Sequence, residues 1–267
     1  MNTQVPDPGS LDPMSQNVLD DHIRRHGMYL SGTHGGRRAV IQYRDLSRLS
    51  FSGQDLSQAD FTGSAFVEAD LSHGIFTGAN FFACDMRNAD MRKAIFCRAD
   101  FRGAYVAGAD LGGADLSGAD MRKGKIMQRG QKGTLEDRKR RAGEGAKTIF
   151  AGAKLNNTDM REVQAFGADF SDADLSEVNL ENADLEEIRL EGANLTDADL
   201  TGADLTKANL KNAIAAGTRL TGTEQKGLDI SGMVTDEQMG DTLENLGKSL
   251  SELLEEHTLW VSTAGQS

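Results

Sequence analysis

Aspartate is the residue in this chain best able to do chemistry, and its spacing assigns it elsewhere. Asp60, Asp70, Asp90, Asp100, Asp110 and Asp120 each sit in the same local pattern, a small residue before and a large apolar residue after. Asp and Asn in such a setting accept a nearby backbone N–H at a turn. The carboxylates therefore read as turn residues, not as acid–base pairs. His22 and His26 lie four apart, a spacing that offers two metal ligands on one helix face. No Cys or third His accompanies them at fixed spacing, so a core or cap role is the reading taken. His34-Gly35-Gly36 is glycine-rich but has no phosphate-loop spacing and no lysine. No nucleophile elbow is present, and the many serines follow core positions. The sequence thus names no catalytic, cofactor-binding or metal residue, and the chain reads as a non-enzyme.

The elements that hold these residues follow from a period of five. Large apolar residues recur at Leu46, Phe51, Leu56, Phe61, Phe66, Leu71, Phe76, Phe81 and on to Ile126, then from Phe150 to Leu220. From Phe61 on, the residue two before is usually a small one, as at Ala59, Ala69, Ala79 and Ala89, with Asp or Asn usually between. Five matches neither the helical period nor the strand period. A fixed short repeat means a solenoid whose units bury their apolar face only against neighbours. Two residues of every five go inward, so the chain must turn a corner at each unit. Four units make a square coil of twenty residues. Phe61, Phe81, Phe101 and Met121 then stack in one column, and Leu56, Phe76, Phe96 and Leu116 in another. An interior filled by Leu, Phe and Ala leaves no room for a ligand.

The motif Ala-Asp/Asn-Leu/Phe-x-x resembles the consensus of the pentapeptide-repeat family, over about residues 41–126 and 148–222. The resemblance implies an all-β solenoid, a right-handed quadrilateral β-helix. Helical caps are expected at its N- and C-terminal ends. Some members of the family mimic DNA before a type II topoisomerase, so the resemblance also implies that activity as an alternative.

The expected organisation is a disordered N-terminus (1–16), a cap helix and lead-in (17–45) and a first repeat block (46–126). A basic insertion (127–149), a second block (150–222) and a C-terminal helical cap or linker (223–267) follow. The cap helix spans 17–31, with Val18, Leu19, His22, Ile23 and His26 on one face and Gly27 or Gly32 as its stop. In the insertion, the stretch after Thr134 has the pattern of a short helical turn capped by Thr134. Met239, Leu243, Leu246, Leu250, Leu253 and Leu254 give the C-terminal segment an apolar stripe for capping or homodimerisation. His26-x-x-Tyr29-Leu30-Ser31 also has a counterpart in His257-x-x-Trp260-Val261-Ser262, which suggests that the chain is a fragment or has lost a further repeat block.

Charge is divided along the chain. The net charge is −12, of which residues 46–126 carry −1, 127–149 carry +4 and 150–220 carry −8. Departures from the motif mark a contact surface. Ile75, Ile95 and Tyr105 stand where a polar residue is usual, and Phe82 and Phe166 follow an inward position. With Arg138, Lys139, Arg140 and Arg141 of the insertion, Ile75, Phe82, Ile95 and Tyr105 form the candidate interaction surface. The expected function is a protein-interaction or scaffold module that displays this surface to a protein partner. A DNA mimic needs negative charge along its whole length, which the near-neutral first block lacks. Overall acidity argues against binding DNA directly. No membrane span is expected. Cys84 should face inward and Cys97 outward, so no disulfide is expected, and the cytoplasm is the expected location.

Overall fold

The computed structural model describes residues 8–122 and 148–236, together with the backbone of two short strands between them. The repeats form a four-sided coil. Each unit bridges in parallel to the unit twenty residues later, as in Asp55↔Ile75↔Ile95↔Asp115 on one side and Asp60↔Asn80↔Asp100↔Asp120 on the next.

Backbone accounting explains why five residues suffice. In the unit Ala59–Gly63, the Asp60 N–H bonds back to Ala39 O at 2.9 Å and the Phe61 N–H bonds forward to Asn80 O at 2.9 Å. Gly63 N–H reaches Phe82 O at 2.8 Å, and the next unit's Ser64 N–H closes a turn onto Phe61 O at 3.0 Å. The remaining N–H, that of Thr62, goes to the Asp60 carboxylate at 3.1 Å. The same side-chain bond recurs at Asp55, Asp70, Asn80, Asp110, Asp169 and Asn194. Aspartate is thus the turn acceptor that the spacing predicts.

The corner requires a left-handed residue. Every fifth residue from Tyr43 to Gly118 and from Gly152 to Gly232 has φ between +53° and +74°. This is the signature of a type II turn, for which glycine is the natural occupant. Gly152 has open space around it, so Gly152→Ala should cost only the backbone term, about 1 kcal/mol. At Gly217 an added Cβ would strike Asp197 Oδ1 of the coil below. Gly217→Ala should therefore cost more than Gly152→Ala in urea unfolding, and Asp197→Ala should relieve the excess.

Inside, the large residues stack as columns. Phe81 lies 5.3 Å from Phe61 and 5.2 Å from Phe101, ring to ring, and Phe76 lies 5.1 Å from Phe96. Where the small inward residue is polar it still finds a partner. Ser64 donates to Ile41 O, the Cys84 thiol to Phe61 O, and Thr158 to Leu111 O. Both cysteines are free thiols, and burial pushes the Cys84 thiol pKa up.

Four expectations are corrected. Residues 8–16 are ordered: strand β1 (Asp12–Pro13) pairs in parallel with β2 (Arg44–Asp45), and Met14 N–H bonds Asp45 O. Helix α1 spans Gln16–Leu30, running through Gly27, and Val18 is exposed rather than on the buried face of Leu19 and His26. In the insertion, β3 (Met127–Arg129) pairs antiparallel with β4 (Leu135–Asp137), so the first residues after Thr134 are strand where a helical turn is expected, and the rest of that stretch lies outside the described residues. Gly130 and Gly133 between the two strands favour reversal over continuation.

The fourth correction concerns the frame. Tyr105 bridges Ile149, and Val106 N–H bonds Ile149 O, so Phe150 takes the inward slot expected for Ile126. The coil therefore resumes at Thr148. That residue is fully buried, accepts the Gly103 N–H at 3.0 Å and donates to Arg122 O at 3.2 Å. In the repeat frame the insertion is consequently 124–147 rather than 127–149. Ile126, the apolar stripe from Met239 to Leu254 and the His257–Ser262 repeat lie outside the described residues.

Candidate interaction surface

The four-sided frame decides which outward residues can meet one partner. Ile75 and Ile95 are successive rungs of one side, with Ile95 exposed and Ile75 half-buried. Tyr105 stands two units away, on the opposite side, between Asp85 and Ile149. Phe82 lies at a corner next to the Tyr105 side. The structure thus does not gather Ile75, Phe82, Ile95 and Tyr105 into one patch. Arg138, Lys139, Arg140 and Arg141 lie outside the described residues.

The same departure from the motif occurs at four further residues. Val40, Ile149, Ile214 and Val234 hold the same polar position of their units. Ile149 is the rung next to Tyr105, and Ile214 bridges Val234 on a further side, where both are exposed. Val40 stands alone beside Asp60, and the other apolar rungs come as pairs, each on a different side of the coil.

Arginine organises the first block. Arg87, Arg92, Arg102, Arg122 and, beyond the insertion, Arg161 each stand two residues after an aspartate and fold back onto it. In each, Nε and Nη2 grip the two carboxylate oxygens of Asp85, Asp90, Asp100, Asp120 and Asp159, with Nη2···Oδ2 at 2.6–2.7 Å. Four of these clamps lie within residues 46–126 and contribute to the near-neutral charge of that block. The Arg92 guanidinium beside Asp90 holds its carboxyl below the usual carboxylate range. Most pairs are well exposed and contribute little stability. Their effect is to fix each guanidinium plane.

Asp85 differs from the others, because none of its side chain reaches solvent. Its counter-ion Arg87 lies over the Tyr105 ring at 5.4 Å, and Arg102 lies over Phe82 at 5.7 Å. Arg102 and Arg122 follow Phe82 up one corner column. This stacking of Phe82, Arg102 and Arg122 is not legible in the local sequence. Past the insertion only Arg161 makes this clamp among the described residues; Lys207 reaches Glu186 and Glu187 at 3.2 Å, Arg189 reaches Glu191 at 3.5 Å and Arg219 reaches Asp199 at 3.1 Å. Among the described residues no cluster of His, Cys, Asp or Glu has the arrangement of a metal site. No helix among them is long and apolar enough to cross a membrane.

Comparison with known proteins agrees with the repeat pattern. The family model described as Pentapeptide repeats matches in eight copies, over residues 45–81, 84–122, 149–182, 173–212 and 183–222. Among solved structures, trypsin-treated QnrB1, a plasmid-mediated fluoroquinolone resistance protein, is 21% identical with a TM-score of 0.45. The alignment covers 80% of this chain and 99% of that one. HetL, involved in heterocyst differentiation regulation in the cyanobacterium Nostoc sp. strain PCC 7120, is 26% identical with a TM-score of 0.33. Here 84% of this chain and 98% of that one are covered. No curated protein matches the chain.

Proposed function

Since the chain belongs to the pentapeptide-repeat family, we propose that it works as a non-enzymatic protein-interaction module, a rigid β-helix that presents its outer wall and the 124–147 insertion to a protein partner. Proteins of this family are right-handed quadrilateral β-helices and are generally structural or interaction modules. The observation that carries the reading is the use of the inward pairs for packing through the middle of the coil. From Leu56 to Met121 each large residue is fully buried, and each small one is buried against its neighbours. The turn aspartates are engaged by backbone N–H groups or by arginines of their own unit. What varies from coil to coil, and can carry specificity, is the outer wall and the insertion. Two free thiols accompany a proposed cytoplasmic location. Homodimerisation through the C-terminal apolar stripe remains part of the proposal.

The test is a deletion placed by the observed frame. Removing 124–147 joins Lys123 to Thr148 and leaves Met121 and Phe150 five residues apart, the repeat period. That variant should stay folded and lose the partners that the intact chain recovers from host extract. A deletion of 127–149 would slip the frame by one residue and remove Thr148, so it should unfold the junction. Equal recovery by the intact chain and the 124–147 deletion would move the interaction to the wall alone.

A second reading, mimicry of DNA before a type II topoisomerase, is favoured by one observation, the charge of −8 over residues 150–220. The clamped Asp–Arg pairs of the first block weigh against it. Inhibition of DNA supercoiling by the purified chain would put it first.

A further inference from the structure

The first coil has an edge, and an open strand edge is a template for association. Three devices close it. Strand β1 and Met14 pair with β2 on one side. On another, the Gln16 side-chain amide imitates a strand: its Nε2 donates to Ser50 O and its Oε1 accepts the Ser50 N–H, both at 2.9 Å. The third device is His26, which α1 carries into the coil with none of its surface exposed.

His26 spans two sides of the coil. Its Nδ1 accepts the Ala39 N–H at 3.0 Å, and its Nε2 lies 3.0 Å from Ser57 O. Because Ala39 can only donate and Ser57 O can only accept, the ring proton must be on Nε2 and the imidazole must be neutral. A second proton, on Nδ1, would put a donor against the donor N–H of Ala39.

We propose that α1 is a proton-released latch: neutral His26 seals the first edge of the coil, and protonation of His26 frees it. The groups facing the ring leave this response in place. Tyr29 of α1 stacks on it with centroids 5.7 Å apart. From the coil and its lead-in, Asp55 favours the charged ring and Arg38 opposes it. Burial is the largest influence and pushes the His26 pKa below its ordinary value, against the hydrogen bond to Ser57. The sign follows. A group with a lowered pKa in the closed state stabilises that state fully above its open-state value, about 6.5. The stabilisation is lost as pH falls from there toward the closed-state pKa.

Amide hydrogen exchange on the full chain tests this between pH 7.5 and 5.5, above the range in which ordinary carboxylates titrate. The protection factors of the Ala39 and Ser50 amides should fall by up to about tenfold per pH unit below about 6.5, as one-proton linkage requires. The Phe81 amide, in the middle of the coil, should not change. His26→Gln keeps one acceptor and one donor at similar separation and cannot titrate. It should hold Ala39 protected and flatten its pH response, whereas His26→Ala should leave Ala39 poorly protected at every pH. Parallel loss in the native chain and His26→Gln would overturn the proposal. So would a loss shared by Phe81.

Discussion

Replacing Phe81 by alanine is expected to cost about 3–5 kcal/mol in denaturant unfolding, while Phe82→Ala costs less than about 1 kcal/mol. Phe81 is fully buried at the crossing of two aromatic columns. Its ring meets Phe61, Phe66, Phe76, Phe96 and Phe101 at 5.2–5.7 Å. A coil has no second layer to collapse into the space, because each unit packs only on its neighbours. Phe82, one residue on, is half-buried at the corner, and its contact with Arg102 is a modest cation–π pair. Equal losses for the two variants would mean that the inward register is wrong.

The second large effect is expected at Arg87. Its removal strands the Asp85 carboxylate without its counter-ion, and breaking a buried pair from one side costs about 3–5 kcal/mol. Asp85→Ala should cost less. Arg87 is 41% exposed and can be solvated in place of its partner. Alanine also fits, since Ala65 holds the same rung one coil earlier. The double variant should therefore be more stable than Arg87→Ala alone, with a coupling of at least about 1 kcal/mol in a double-mutant cycle. If Asp85→Ala proved the costlier single change, the ion pair would not be what makes that buried carboxylate tolerable.

The candidate surface was only partly readable. Apolar residues at a normally polar position are visible in a period-five alignment, and Ile75 and Ile95 do share a side. That Tyr105 stands opposite them follows from counting units. Its proximity to Arg87 depends on side-chain direction, which the period does not encode. The Asp-x-Arg spacing was also present in the sequence. Its closure into clamps depends on the turn, which aims Arg87, Arg92, Arg102, Arg122 and Arg161 back over their own aspartates.

The sequence by itself determined the period, the inward pair of each unit, the aromatic columns and the turn role of aspartate. These are local or strictly repeated, so each unit states them again. Tertiary structure decided what happens where the repetition stops. Gly124-Lys125-Ile126 and Thr148-Ile149-Phe150 both fit the small–x–large frame, and only pairing across the gap selects the second. Phe150 wins its slot in part by stacking on Phe170 at 4.7 Å, and Thr148 satisfies the backbone where the chain re-enters. At the other end, Pro13, Gln16 and His26 gain their roles only because an open coil edge exposes backbone groups that must be satisfied. That demand comes from residues 39–57, and no local pattern around His26 announces it.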